Sequence, residues 1–131
     1  MKENKITIII NKPIEEVFEF TTNPKNTHLW VPSIEEEVTN EYPPKINTQY
    51  KSRGKDSDWN CYRVSELKES KLFKLTKLDE SYAVRYTYKK IDDVSTELEY
   101  CEQVKDGELE TPLTEDTLHQ LKLIIESKNN L

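Results

Sequence analysis

Tyr82-Ala83-Val84-Arg85-Tyr86-Thr87-Tyr88-Lys89-Lys90-Ile91-Asp92-Asp93-Val94-Ser95-Thr96-Glu97-Leu98-Glu99-Tyr100-Cys101-Glu102-Gln103-Val104 is the stretch on which the fold turns. Its residues alternate. Tyr82, Val84, Tyr86 and Tyr88 share one parity, with Ala83, Arg85 and Thr87 on the other; Leu98 and Tyr100 repeat the pattern beyond Asp92-Asp93. Side chains two apart lie on one face of a strand, so the stretch reads as two strands, each with one apolar face, joined at the paired aspartates.

The same period extends back to Ile34. Candidate strands run over 34–38, 48–53, 59–67, 71–78, 82–88 and 94–104, with breaks at Tyr42-Pro43-Pro44, Gly54-Lys55-Asp56, Lys68-Glu69-Ser70, Asp79-Glu80-Ser81 and Asp92-Asp93. No amphipathic helix interrupts them, which predicts an antiparallel meander. Asn47, just before the 48–53 strand, is suited to a left-handed backbone. In 59–67, Tyr62 and Val64 compete with Trp59 and Cys61 for the inward face, and alternation leaves both readings open.

Outside the meander the pattern changes. Ile6-Thr7-Ile8-Ile9-Ile10 is β-branched throughout and reads as a further strand. Asn11-Lys12-Pro13 then opens a helix, with Asn11 or Lys12 as cap and Pro13 in the first turn. Ile14, Val17, Phe18 and Thr21 share one side of it, and Glu15, Glu16 and Glu19 the other. Asn23-Pro24 ends it, and 23–33 is a bend carrying His28, Leu29 and Trp30. At the other end, Thr111-Pro112 or Thr114 starts a second helix, with Glu115 and Asp116 in its first turn. Leu113, Thr117, Leu118, Leu121, Ile124 and Ile125 form its apolar stripe; Leu123 lies opposite, and Lys128 with Asn129-Asn130 suits its C-terminal end.

The fold class expected is therefore α+β in a single domain, 1–131, with an antiparallel sheet of about six or seven strands and two helices. A chain of 131 residues buries roughly two-thirds of its unfolded surface, enough for a core and a modest cavity.

Ile8-Ile9-Ile10-Asn11-Lys12-Pro13-Ile14-Glu15-Glu16-Val17-Phe18-Glu19-Phe20 resembles the opening of polyketide cyclase/dehydrase-like members of the START/Bet v 1-like (SRPBCC) superfamily. Asn23-Pro24 and Trp30-Val31-Pro32 resemble the bend that follows there, Thr96 to Tyr100 the late strand, and Thr114 to Ser127 the closing helix, here short. Asn47 stands where many relatives carry Gly. The resemblance covers nearly the whole chain and rests on packing and turn positions. It implies a helix-grip fold, a curved antiparallel sheet wrapped around a C-terminal helix, with a cavity between the two. It does not imply one function, because the fold serves lipid carriers, hormone receptors, cyclases and cochaperone-like domains.

Composition narrows the partners. The net charge is −6, from 25 acidic and 19 basic residues, and the basic ones are scattered, as in Lys74 to Glu80. That disfavours nucleic acid and an anionic membrane surface. No apolar run approaches the roughly 20 residues of a membrane span, and Ile6 to Ile10 is too short for a signal-peptide core, so the expected location is the cytoplasm. Cys61 and Cys101 are then free thiols packed within strands, with no activating base. His28 and His119 lack the partners a metal site needs and read as exposed, so no metal is expected. No Gly-rich phosphate loop exists, and no cofactor is expected.

Two carboxylates stand out. If Leu98 and Tyr100 face inward, so does Glu102, and Glu36 shares a parity with Ile34 and Val38. The plainer expectation is that both lie at exposed ends, or that Glu102 pairs with a lysine or arginine. Aromatic placement is the better pointer to a pocket, since tyrosine supplies apolar area and one polar anchor. The expected ligand-binding residues are Trp30, Tyr62, Val84, Tyr86, Leu98, Tyr100, Leu118 and Leu121, with Leu118, Leu121 and Ile125 covering the opening, and no residue is assigned as catalytic. The function expected is non-catalytic binding or carriage of a small, largely apolar molecule. The alternatives are a cyclase, aromatase or dehydratase-type enzyme and a cochaperone-like domain, under which the partner is a protein.

Overall fold

The computed structural model describes residues 2–128; the tail Asn129-Asn130 lies outside them. Seven strands form one antiparallel sheet: β1 (Lys2–Ile10), β2 (Glu36–Thr39), β3 (Gln49–Arg53), β4 (Asn60–Lys68), β5 (Leu72–Lys77), β6 (Tyr82–Asp92) and β7 (Ser95–Val104). Their spatial order is β1-β7-β6-β5-β4-β3-β2, a meander in which the first strand closes beside the last. Helix α1 (Ile14–Thr22) and a short 3₁₀ helix over Pro24–Leu29 link β1 to β2, and helix α2 (Glu115–Ser127) ends the chain.

The alternation that singles out β6 and β7 carries through to their pairing. Tyr86 lies opposite Tyr100 and Tyr88 opposite Leu98, and all four are buried. Ile10, Leu98, Leu118, Leu121 and Ile125 join Ile14, Val17, Phe20 and Trp30 in one core. Helix α2 lies along β1: Lys122 Nζ donates to the Ile9 carbonyl at 2.7 Å, and Glu126 accepts from the Asn11 amide at 2.7 Å. Its N-cap is Thr114, whose hydroxyl accepts from the Thr117 amide. Asn47 is left-handed, φ 73°. Leu123 is exposed.

Three local expectations are corrected, and one left open by alternation is decided. Pro13 is the N-cap of α1, not a residue of its first turn, and Asn11 and Lys12 lie outside the helix. The first strand begins at Lys2, because β7 offers it partners down to Val104. The strand expected over 34–38 is Glu36–Thr39, with Val38 outside and Glu37 inside. In β4 the inward face belongs to Tyr62 and Val64, with Trp59 exposed; a bulge between Val64 and Glu66 then resets the parity and lets Leu67 face in.

Gly54, at the end of β3, is required by close approach. A Cβ there would stand 2.7 Å from the Ser33 carbonyl oxygen, so only glycine lets this turn lie against the segment leading into β2.

Candidate functional site

A cavity of about 1210 Å³ opens beside α2, over β4 to β7. Its walls are Tyr62, Phe73, Leu75, Tyr82, Val84, Tyr86 and Tyr100 from the sheet, and Val31 and Ile34 from the segment before β2. The irregular segment 105–114 closes another side with Leu109 and Leu113. Exposed Lys55, Asp106, Glu108 and Glu110 mark its mouth. Small-molecule sites are usually about 300–1,000 Å³, so this space is large and open rather than sealed.

The cavity is open because of two lengths. Helix α2 has 13 residues and spans about 20 Å, whereas the 11 residues of β6 reach about 36 Å. One helix this short shields the β1 side of the sheet and leaves the rest to the 105–114 segment.

Glu102 anchors that segment. It is buried at 3% exposure and faces inward, against the expectation of an exposed or cation-paired side chain. Its Oε2 accepts from the Leu113 amide at 2.6 Å and from the Asn4 side chain at 2.9 Å, and its Oε1 accepts from the Tyr82 hydroxyl at 2.6 Å. Asn4 also donates to the Leu113 carbonyl at 2.8 Å. One carboxylate thus ties β1, β6 and the cavity's flank to β7 through neutral donors, which satisfy it without a cation.

Glu37 is the second inward carboxylate; Glu36, which the parity singled out, is exposed, in line with the plainer expectation. The register of β2 on β3 sets Glu37 opposite buried Ser52, while Glu36 turns out to the Arg53 guanidinium. Glu37 lines the cavity, and the Thr27 hydroxyl donates to it at 2.5 Å. Burial pushes its carboxyl up to about 7, with the Thr27 hydrogen bond pulling the other way. The tyrosines around the cavity are held neutral. Burial raises Tyr62 to about 12, aided by the charges of Glu37 and Asp79. It drives Tyr82, Tyr86 and Tyr100 further up, with the hydrogen bond to Glu102 adding to the effect at Tyr82.

Tyr86 has a hydroxyl free of protein partners among the described residues. Its hydroxyl makes no side-chain hydrogen bond among the described residues, yet no fully buried side-chain polar atom is left without a partner. The hydroxyl therefore keeps access to the cavity that the ring lines.

Of the residues singled out in the sequence, the structure brings Tyr62, Val84, Tyr86 and Tyr100 together on the cavity wall. Trp30 stands behind them, buried, with its ring edge-on to Tyr86 and Tyr100 at 6.4 and 6.3 Å. Leu98, Leu118 and Leu121 do not reach the cavity. All three are fully buried in the closed core, so the helix stripe expected to cover the opening fills the neighbouring space instead. Sequence reasoning missed Glu37, Phe73, Leu75 and the 105–114 segment. Phe73 and Leu75 share a parity on β5 and could have been found by alternation.

The remaining candidates stay apart from the cavity. His28 and His119 are exposed on a separate shallow cleft, and no cluster of three metal-ligating side chains occurs among the described residues. Cys61 and Cys101 are free, and burial raises the Cys101 thiol, which disfavours its thiolate. Among the described residues, no helix is long and apolar enough to cross a membrane.

No protein-family model matches this chain, and no curated protein is similar to it in sequence. Solved structures match it in fold. A conserved protein of unknown function from Enterococcus faecalis is 17% identical, with a TM-score of 0.74 over 95% of this chain and 71% of that one. A polyketide-cyclase-like protein from Corynebacterium glutamicum is 17% identical, with a TM-score of 0.60 over 79% of this chain and 65% of that one. The Aha1 dimer from Colwellia psychrerythraea is 11% identical, with a TM-score of 0.62 over 96% of this chain and 90% of that one. These likenesses establish the fold and no activity.

Proposed function

Starting from a chain with the helix-grip fold of the START/Bet v 1-like (SRPBCC) superfamily, we propose that it binds a small, largely apolar molecule without transforming it. One observation carries this reading: an open cavity of about 1210 Å³ walled by Tyr62, Phe73, Val84, Tyr86 and Tyr100. Apolar walls with few convergent polar groups are the general form of a small-molecule site. Tyr86, with its unpartnered hydroxyl, supplies orientation.

A second reading, a cyclase or dehydratase-type enzyme, is favoured by Glu37. A carboxyl with a pKa near 7 is suited to exchange protons at neutral pH. Glu102 is less suited, because its oxygens already accept from Asn4, Leu113 and Tyr82. Among the described residues Glu37 hydrogen-bonds Thr27 alone and is linked to no second acid or base, so binding is the reading preferred.

Native mass spectrometry of protein purified gently from its host tests the proposal. The expected result is a co-purifying small molecule whose release lowers the melting temperature. A ligand-free protein that no member of a panel of sterols and aromatic polyketide-like compounds stabilises would overturn it.

A further inference from the structure

The charges inside the cavity are unbalanced. Among the cavity-lining residues, Arg53 and Lys77 are the cations set back from the mouth; Arg53 is paired with an acid, and Lys77 makes no ion pair among the described residues and is not among the charges that bear on Glu37. The Arg53 guanidinium contacts Glu36 Oε1 through Nε and Nη2 at 3.1 and 2.9 Å and lies 5.2 Å over the Trp59 ring. Lys77 stands in the field of Asp79. The two inward carboxylates have no such answer. Glu102 is held by neutral donors, and Glu37 receives one hydroxyl, from Thr27, with no ion pair among the described residues. Around them stand the rings of Tyr62, Phe73, Tyr82, Tyr86 and Tyr100, and Tyr62 and Tyr86 both feel the Glu37 charge.

We propose that the ligand of this cavity is an organic cation, an amine on an aromatic or aliphatic body, whose ammonium group pairs with the Glu37 carboxylate among the tyrosine rings. This rests on the binding function proposed above. The chemistry selects in three steps. An ammonium supplies the positive charge that Glu37 lacks and is attracted to the negative faces of the rings. A neutral molecule of the same shape gains the apolar contact alone. A carboxylate ligand meets two like charges in a partly desolvated space and is disfavoured.

The test compares three naphthalene compounds of nearly equal shape at pH 8: 1-naphthylmethylamine, 1-naphthylmethanol and 1-naphthoate. Isothermal titration is run on the wild-type chain and on Glu37→Gln. The expected order is amine tightest, by about tenfold or more over the alcohol, with naphthoate weakest. Glu37→Gln is expected to bring amine and alcohol to equal affinity while the alcohol binds as before, which also shows that the variant is folded. Amine and alcohol binding equally to the wild type, or a preference that survives Glu37→Gln, would overturn the cation assignment and leave apolar binding standing. Failure of all three compounds to bind would overturn both.

Discussion

Replacing Glu37 by glutamine should make the protein more stable at pH 8 and leave it unchanged at pH 4.5. The carboxyl belongs to a side chain lodged in the cavity wall, with the Thr27 hydroxyl as its partner. Burial lifts its pKa from 4.5 to about 7. Below pH 4.5 the folded and unfolded chains both hold the proton, and the group contributes nothing. Between 4.5 and about 7 the unfolded chain releases the proton before the folded one does, so stability falls as pH rises. Above 7 the cost is complete. At about 1.4 kcal/mol per tenfold change in proton affinity its ceiling is about 3 kcal/mol, and residual solvent contact lowers it towards 1. Urea unfolding of both proteins from pH 4.5 to 8 measures the effect. The difference between them cancels the remaining acids and the exposed His28 and His119, which both chains share. Glutamine keeps an acceptor for Thr27, so shape and hydrogen bond are conserved. A difference that stays flat with pH, or a variant less stable than wild type at pH 8, would refute the argument that Glu37 is held against its own desolvation. A residue that costs stability where it stands is a mark of a binding site rather than of a packed core.

Four further outcomes are expected. Leu121→Ala should cost about 2–5 kcal/mol in urea unfolding, because Leu121 is fully buried, and should leave cavity binding unchanged, because it lies off the cavity wall. Glu102→Ala should cost about 1–3 kcal/mol for each donor left unpaired among Asn4, Tyr82 and the Leu113 amide, and hydrogen exchange should rise across 105–114 before it rises in β6. Gly54→Ala should lose about 1–3 kcal/mol, read as a fall in melting temperature, since its methyl would meet the Ser33 carbonyl. A chelator should leave the melting temperature unchanged, and thiol titration of the unfolded, unreduced chain should count two free thiols.

The sheet was legible because its signal is local. Tyr82 to Tyr88 and Leu98 to Tyr100 declare their inward face by alternation, and their partners across β6 and β7 follow from the meander. The Thr114 cap and the Leu118, Leu121 and Ile125 stripe are equally local. What escaped was fixed by contacts distant in sequence. β2 has four residues on the sheet edge, too few for a period, so its inward face is set by pairing on β3 and by Thr27. Parity pointed only to Glu36, with an exposed end the plainer reading; the register turns Glu37 inward. In β4, alternation cannot foresee the bulge after Val64, which lets both Tyr62 and Leu67 face the interior.

The cavity's position was within reach of arithmetic. The stripe from Leu118 to Ile125 covers two turns of helix, about 11 Å, and cannot roof a sheet in which β6 runs about three times as far. The chain before α2 is barred from extending the helix by Gly107, at φ 84°, and by Pro112, which fixes its own backbone and removes a donor. It spans the gap as irregular chain instead, and such chain must find partners for its backbone polar groups. Glu102 provides one at the Leu113 amide and Asn4 another at the Leu113 carbonyl. The glutamate that shares the parity of Leu98 and Tyr100 on β7 thus serves the short helix: its carboxylate holds the segment that stands in for the missing turns.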